Sequence, residues 1–480
     1  MSAGVVPGLG HLINGRIVTD GDTFPVVSPI TGEVSALCPA ATPAHLEEAV
    51  AAAAAAQPAW AALGLAARQE VLRAMTERLE ASKESLGEVT LLEKGDTGFG
   101  ELYMASKFMP HIASAEPTID LIEDSEARSI RVVRKPVGVV AAITPWNAPL
   151  LIAIDKVFCA LLMGNTVVLK PSPFTPLGTL MLGQIWQDLV PAGVLNVVAG
   201  DDAIGRALVA HPKTRLISFT GSVRAGKAIA AAAAPDLKRV LLELGGNDAA
   251  IVLPDVDPQV VAQGLFWGAF VLSGQGCAAV KRVYVHDAVY DDVVGAIADI
   301  ARTQKAAPAD KGGTLGPLIT KPQLERVTEL VDDAIAHGGK AVTGGGLDED
   351  AGGGYYFSPT IVTNVGAGVR IVDEEQFGPT LPIVRFSDVE DAIAQANSTE
   401  YGLAGSIWTS DLEKGQELAD RLICGTTWVN HHTEVGPEIP FGGAKSSGIG
   451  RTGGQVGLDA YAELQTQIVH KSLAKVRAQA

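Results

Sequence analysis

Residues 138–173 read GVVAAITPWNAPLLIAIDKVFCALLMGNTVVLKPSP. A strand-like run at 139–143 is followed by a Pro- and Asn-containing turn, an apolar stretch of helical length at 150–162, and a β-branched run at 166–169. Strand, helix and strand in that order form the repeating unit of a parallel sheet. The alternation continues downstream, with helical texture at 177–189, 204–210 and 225–233 and strand texture at 195–198, 216–219 and 240–242. The stretch therefore predicts a doubly wound α/β domain, whose ligands collect at the carboxyl ends of its strands. A second α/β half follows, with a strand at 249–252, a helix at 256–272, a strand at 281–285 and a helix at 290–303. Upstream, Thr42 and Pro43 open a helical pattern through Gln57 that Pro58 is expected to end. A second amphipathic helix is read at 66–85, and the β-branched, charge-rich segment 118–136 reads as an extended ribbon outside the main domain. The run from Gly344 to Gly354 is a Gly- and acid-rich loop.

The chain has 480 residues, 47% of them hydrophobic, enough to bury two or three domain cores. Its 37 basic and 54 acidic side chains give a net charge of −17, which disfavours nucleic acid and anionic membranes as partners. The first ten residues carry no cationic start and no long apolar core, so no secretory signal and a cytoplasmic location are expected. Cys38, Cys159, Cys277 and Cys424 are scattered without disulfide density or CxxC spacing, which predicts four free thiols. His431-His432 lacks ligand partners at metal-binding spacing, and no metal is expected.

Several segments carry candidate chemistry. Cys277, in Ser273-Gly274-Gln275-Gly276-Cys277-Ala278, lies 34 residues after Glu243 of Leu242-Glu243-Leu244-Gly245-Gly246, pairing a thiolate candidate with a base candidate. Thr144-Pro145-Trp146-Asn147 follows the first strand of the doubly wound pattern. There Asn147 could donate to an oxyanion, or the segment could be a capped turn over a packed Trp. Lys170-Pro171-Ser172-Pro173 ends the next strand, where an ammonium could meet a ribose hydroxyl or phosphate or remain solvated. Gly221-Ser222-Val223-Arg224-Ala225-Gly226 opens a helix whose amides could face a pyrophosphate, although Gly-Ser is also an ordinary cap. Glu374-Glu375-Gln376-Phe377-Gly378-Pro379 and the turn at 440–448 add two aromatic-Gly turns.

Together these segments, in this order and spacing, resemble the aldehyde dehydrogenase superfamily from about Leu12 to Val469. The resemblance implies an α/β fold with a doubly wound cofactor domain at 1–117 and 137–245, an α/β catalytic domain at 246–445, and a β-ribbon oligomerisation arm at 118–136 and 455–480. It implies NAD or NADP as cofactor, a small-molecule aldehyde as substrate, and a homodimer or homotetramer. Cys277 resembles the nucleophile, and Asn147 the donor that completes an oxyanion hole with the Cys277 amide. Glu243 resembles the base that hydrolyses the thioester. Each such oxyanion donor lowers a barrier by about 3–4 kcal/mol. Cofactor contacts are implied for Thr144, Pro145, Trp146, Lys170, Ser172, Pro173, Gly221, Ser222, Gly226, Leu244 and Gly245, with Glu375 on the nicotinamide ribose and Phe377 against its ring. Gly276, Ala278 and Asp155 are implied at the substrate tunnel.

The chain departs from the family at named positions. Pro173 stands where NAD-selective relatives carry a Glu that repels a 2′-phosphate, and Arg224 stands where many carry Glu, so use of NADP beside NAD is expected. Asp155 replaces a tunnel Trp, which suits a polar or cationic aldehyde, unless Asp155 faces solvent or pairs with Lys156 or a nearby Arg. Thr452 replaces a Glu with no function attached. Two other readings remain: a coenzyme A-acylating semialdehyde dehydrogenase, which a carboxylate at Glu243 disfavours, and a catalytically silent scaffold, which has no need of Cys277, Asn147 and Glu243 together.

Overall fold

The computed structural model describes residues 6, 8–96, 98–308, 311–348 and 351–471. The C-terminal part of the expected arm, 472–480, lies outside the described residues. An eight-stranded sheet runs Gly448–Ile449, Arg239–Glu243, Thr214–Thr220, Val139–Ile143, Thr166–Lys170, Leu195–Val197, His11–Ile13, Arg16–Val18. Its five middle strands are parallel, and Val139–Ile143 and Thr166–Lys170 are buried throughout, as strands covered on both faces must be. Chain order reverses between Val139–Ile143 and Thr214–Thr220, which opens a crevice at their carboxyl ends.

A seven-stranded sheet runs Lys340–Thr343, Thr360–Thr363, Thr380–Phe386, Val280–His286, Asp248–Val252, Ala404–Trp408, Thr426–Val429. All its pairs are parallel except the one made by Lys340–Thr343. Each of the two large sheets is packed into apolar cores of its own. The third body is an antiparallel ribbon of Asp120–Asp124, Arg128–Pro136 and Ala462–His470. Leu458, Tyr461 and Ala462, at the start of the expected C-terminal arm, are buried in a core of the eight-stranded sheet. No single described helix is long and apolar enough to cross a membrane.

Thr42 caps the helix Pro43–Ala62 by accepting from the His45 amide at 3.2 Å. Pro58 does not end that helix. A proline there removes a helix hydrogen bond at a cost of about 3 kcal/mol. The helix nevertheless continues, carrying Trp60 into the core with its indole N–H on the Leu161 carbonyl at 3.0 Å.

Two acids from helices Lys83–Lys94 and Phe99–Ser114, a region without a clear sequence signature, fix the helices that flank the crevice. Glu101 accepts from the Leu150 and Leu151 amides at 2.9 and 3.2 Å, and Glu93 accepts from Leu177 and Gly178 at 2.6 and 2.9 Å. Neither helix so capped, Pro149–Leu162 or Leu177–Trp186, has a side-chain cap of its own. Buried Lys94 sits 2.7 Å from Glu101, so the first of these acids is also charge-paired.

Candidate active site

Cys277 lies in the connection between the helix Pro258–Phe270 and the strand Val280–His286. Leu272, Ser273 and Gly274 precede it with φ of 52°, 54° and 74°. A left-handed conformation at the two non-glycine residues costs on the order of 1–3 kcal/mol each and persists only where surrounding contacts dictate it. Those contacts are present. Ser273 donates to the Gly316 carbonyl at 2.8 Å, and the Gln275 amide donates to Leu272 and Pro317 while accepting from Ile319. Gly274 allows no Cβ, because one would strike the Gly378 carbonyl. Asn147, buried at the turn before Pro149–Leu162, donates its side-chain amide to the Gln275 carbonyl at 2.7 Å. The Asn147 turn and the Cys277 loop, 130 residues apart in sequence, are thereby joined.

Glu243 ends its strand with both carboxylate oxygens buried and, among the described residues, without a hydrogen-bond partner. A Cβ added at Gly442 would lie 2.7 Å from Oε1, so the turn at 440–448 closes over this carboxyl. Burial pushes Glu243 up to about 8, against the pull of Lys156 and Arg451, while Asp155 adds to the rise. Lys156 is itself buried, donates to Ser218 at 2.9 Å, and is lowered to about 8 by that burial. Asp155 lies on the same helix with Cys159 at 3.7 Å, and burial raises it.

The cofactor candidates gather at the carboxyl ends of four parallel strands. Thr144, Pro145 and Trp146 follow Val139–Ile143; Lys170, Ser172 and Pro173 end or follow Thr166–Lys170; Gly221 and Ser222 follow Thr214–Thr220; Leu244 and Gly245 follow Arg239–Glu243. Ser222 caps Val223–Ala233 by accepting from Ala225 at 3.3 Å, and a Cβ at Gly226 would approach Leu244 to 2.5 Å, so that helix start lies close against the sheet. Lys170 donates to the Pro171 carbonyl at 3.0 Å and is lowered to about 8 by burial, partly offset by Asp202 and Asp201.

From the seven-stranded sheet's side, Glu375 accepts from the Gly246 amide at 3.0 Å, and Phe377 meets Trp146 edge-on at 5.3 Å. A Cβ on Gly245 would collide with the Glu375 carboxylate. Burial raises Glu375 to about 7. The Thr144 hydroxyl is buried without a hydrogen-bond partner among the described residues. An orphaned hydroxyl, a capped helix start and close-packed glycines suit a dinucleotide laid across the crevice.

A cavity of 200 Å³ adjoins Asn147, walled by Trp267, Phe270, Leu315 and the Lys94–Asp96 pair among others. Asp155, Gly276 and Ala278 are not among its wall residues. Sequence reasoning passed over Lys94, Asp248 and Lys281, and named Lys156 only as a candidate partner for Asp155. For Lys281 a signal existed: Lys281-Arg282 opens an otherwise apolar strand, where charged side chains must find buried partners. His432 is buried with Nδ1 2.8 Å from Ser406 and Nε2 3.8 Å from Asp248. Among the described residues no group of three or more His, Cys, Asp or Glu is arranged to hold a metal.

Residues 17–467 match the aldehyde dehydrogenase family. A betaine aldehyde dehydrogenase of Rhizobium leguminosarum bv. trifolii is 36% identical over 96% of this chain and 97% of that protein. A phenylacetaldehyde dehydrogenase of Pseudomonas fluorescens is 37% identical over 95% of each. Among solved structures, the NAD+ complex of an aldehyde dehydrogenase from Bacillus cereus superposes with a TM-score of 0.92 at 33% identity, over 96% of both chains. With a matching fold, crevice and extent, this chain belongs to the aldehyde dehydrogenase family.

Proposed function

We propose that this NAD(P)-dependent enzyme oxidises its aldehyde through a covalent Cys277 intermediate and releases a free carboxylic acid with Glu243 as general base. The observation that carries this reading is the buried, unpartnered Glu243 carboxyl in the same cleft as a Cys277 loop tied to Asn147. The Cys277 sulfur adds to the carbonyl carbon, and the carbonyl π electrons move to oxygen, giving a thiohemiacetal alkoxide. The Cys277 backbone N–H and the Asn147 amide are the donors for that alkoxide. The bound dinucleotide supplies the hydride acceptor. Residues Trp146, Glu375 and Phe377 hold and orient it, and Ser222 with Lys170 serves its phosphate and ribose end. Loss of hydride from the former carbonyl carbon leaves a thioester on Cys277. Glu243 then takes a proton from water as the water oxygen attacks, and the thiolate leaves. The test is aldehyde turnover without coenzyme A, with the product identified. An absolute requirement for coenzyme A would reject hydrolysis in favour of acyl transfer. The four free thiols suit a reducing, cytoplasmic setting.

Pro173 is half-buried and Arg224 exposed at the crevice end that takes the adenosine ribose, so no carboxylate from either position opposes a 2′-phosphate. Two unit charges 4 Å apart interact by about 4 kcal/mol at an effective dielectric of 20. Pro173→Glu is therefore expected to raise the NADP KM by about tenfold or more while leaving the NAD KM nearly unchanged. The ratio of the two KM values in variant and wild type checks this, and an unchanged ratio would rule out Pro173 as a determinant.

The ribbon leaves Ile119, Leu121, Ile122, Leu464, Ile468 and Val469 more than half exposed. Apolar side chains exposed on both faces of a three-stranded sheet with free edges suit a second copy of the chain. Sedimentation velocity is expected to show a homo-oligomer that Leu464→Asp with Ile468→Asp dissociates, whereas a monomeric wild type would overturn the assignment.

A further inference from the structure

With Cys277 as the nucleophile, the reading on which the role of Lys281 rests, the site has a charge problem. Burial, and the carboxylates Glu243, Asp248 and Glu375, all disfavour a negative sulfur; burial is the largest effect, and the thiol is pushed up to about 12. The three acids approach from different elements: the end of Arg239–Glu243, the start of Asp248–Val252, and the loop after Arg370–Asp373. The charge acting in the opposite sense is Lys281.

Lys281 is 2% exposed near the start of Val280–His286. Its ammonium turns back to the Gly276 carbonyl at 2.5 Å and the Ala279 carbonyl at 3.5 Å, and lies 5.4 Å from the centre of the Phe377 ring. Its hydrogen bonds thus go to backbone, not to a carboxylate. The neighbouring charges are otherwise engaged. Asp248 accepts from the Ala404 amide, and Glu375 accepts from Gly246 with Tyr401 beside it. Arg326 pairs with Glu374, while Lys156 and Arg451 act on Glu243. His432, next to Asp248, is lowered by burial and adds no cation. Burial also lowers Lys281, opposed by Glu375, Asp248 and Cys277.

A buried ammonium that only filled space would be replaceable by an apolar chain of the same length, and keeping it charged is unfavourable. Its location gives the charge a use. The Gly276 carbonyl and the Cys277 N–H belong to one peptide group, so a cation on the oxygen both fixes that peptide and polarises its N–H as a donor. We propose that Lys281 is a positioning residue whose buried positive charge, anchored on the Gly276 carbonyl, favours the thiolate form of the Cys277 sulfur against the surrounding carboxylates and aims the Cys277 N–H at the developing oxyanion.

The test uses the full-length enzyme and the pH dependence of Cys277 alkylation by iodoacetamide, followed on the Cys277 peptide by mass spectrometry, beside kcat and KM. Lys281→Gln keeps a donor for the Gly276 carbonyl without the charge, Lys281→Met removes both, and Lys281→Arg keeps both. The Gln and Met variants are expected to alkylate about tenfold more slowly at neutral pH, with the midpoint about one unit higher. Their kcat should fall by a similar factor at a near-constant cofactor KM, and Lys281→Arg should retain the wild-type midpoint. A folded Lys281→Gln variant with the wild-type profile overturns the proposal, and this variant decides the matter if Lys281→Met does not fold. Wild-type turnover that survives complete alkylation of Cys277 would instead overturn the nucleophile reading, so the two failures are distinguishable.

Discussion

Cys277→Ala is expected to lower kcat/KM for any aldehyde substrate by at least about 10⁴-fold, equivalent to about 5.5 kcal/mol of transition-state stabilisation. The reason is chemical and local. Asn147 and the Cys277 amide can bind a developing alkoxide, but without a sulfur no covalent bond forms from which hydride can depart. The cofactor residues lie on other elements: Ser222 and Lys170 at the ends of the eight-stranded sheet, Glu375 and Phe377 on the loop before Thr380–Phe386. Binding of NAD should therefore persist. Initial rates of cofactor reduction beside a cofactor-binding titration check both halves. Retained turnover in the variant would remove Cys277 from the chemistry, and loss of cofactor binding as well would show that the substitution had collapsed the site.

Glu243→Gln is expected to separate the two halves of the reaction. A first turnover should release about one equivalent of reduced cofactor per site, followed by a steady state about 10²–10⁴-fold slower than wild type, because the thioester forms but no base activates water. Rapid-mixing absorbance and trapping of an acylated Cys277 peptide check it; a variant without a burst would place Glu243 before the thioester. In the wild type the sign of the pH effect follows from the carboxyl being raised to about 8. The ionised form is the base, so hydrolysis should rise with pH through about 8. Stability runs the opposite way: a carboxyl raised on folding favours the folded state at low pH, and that contribution fades as pH climbs from the ordinary carboxylate range to about 8. The site thus works best where this residue stabilises the fold least.

The alternation from Gly138 to Glu243 was legible because both faces of each parallel strand are covered, which leaves short apolar runs set apart by turn residues. The helix Tyr290–Thr303 was legible for its regular amphipathic spacing, and the ribbon for its β-branched, charge-rich texture. His11–Ile13 and Arg16–Val18 were not, since three-residue strands added antiparallel at a sheet edge leave too little pattern. Pro58 misled because the deciding contact, Trp60 on Leu161, is made about 100 residues away. Glu93 and Glu101 look like ordinary helix acids until the amides of Leu177 and Leu150 are placed against them. Cys277, Glu243 and Asn147 stood out through their glycine- and proline-rich settings. Lys281 did not, because its significance lies in the turn of its ammonium back onto the Gly276 carbonyl beside Cys277, and a sequence shows charges but not which backbone groups they meet.

The division of the site between two separately packed sheets has an effect on how the molecule fails. Asn147 and Glu243 ride on one body, Cys277 and Glu375 on the other, and the links that align the reacting groups are the Asn147 amide to Gln275, Gly246 to Glu375, and Trp146 against Phe377. A sideways slip of about 1 Å would break alignment at every one of these links while both cores remained intact. Turnover is thus a gauge of alignment between the two bodies. On heating, it reports their loss of register before any strand or helix has melted.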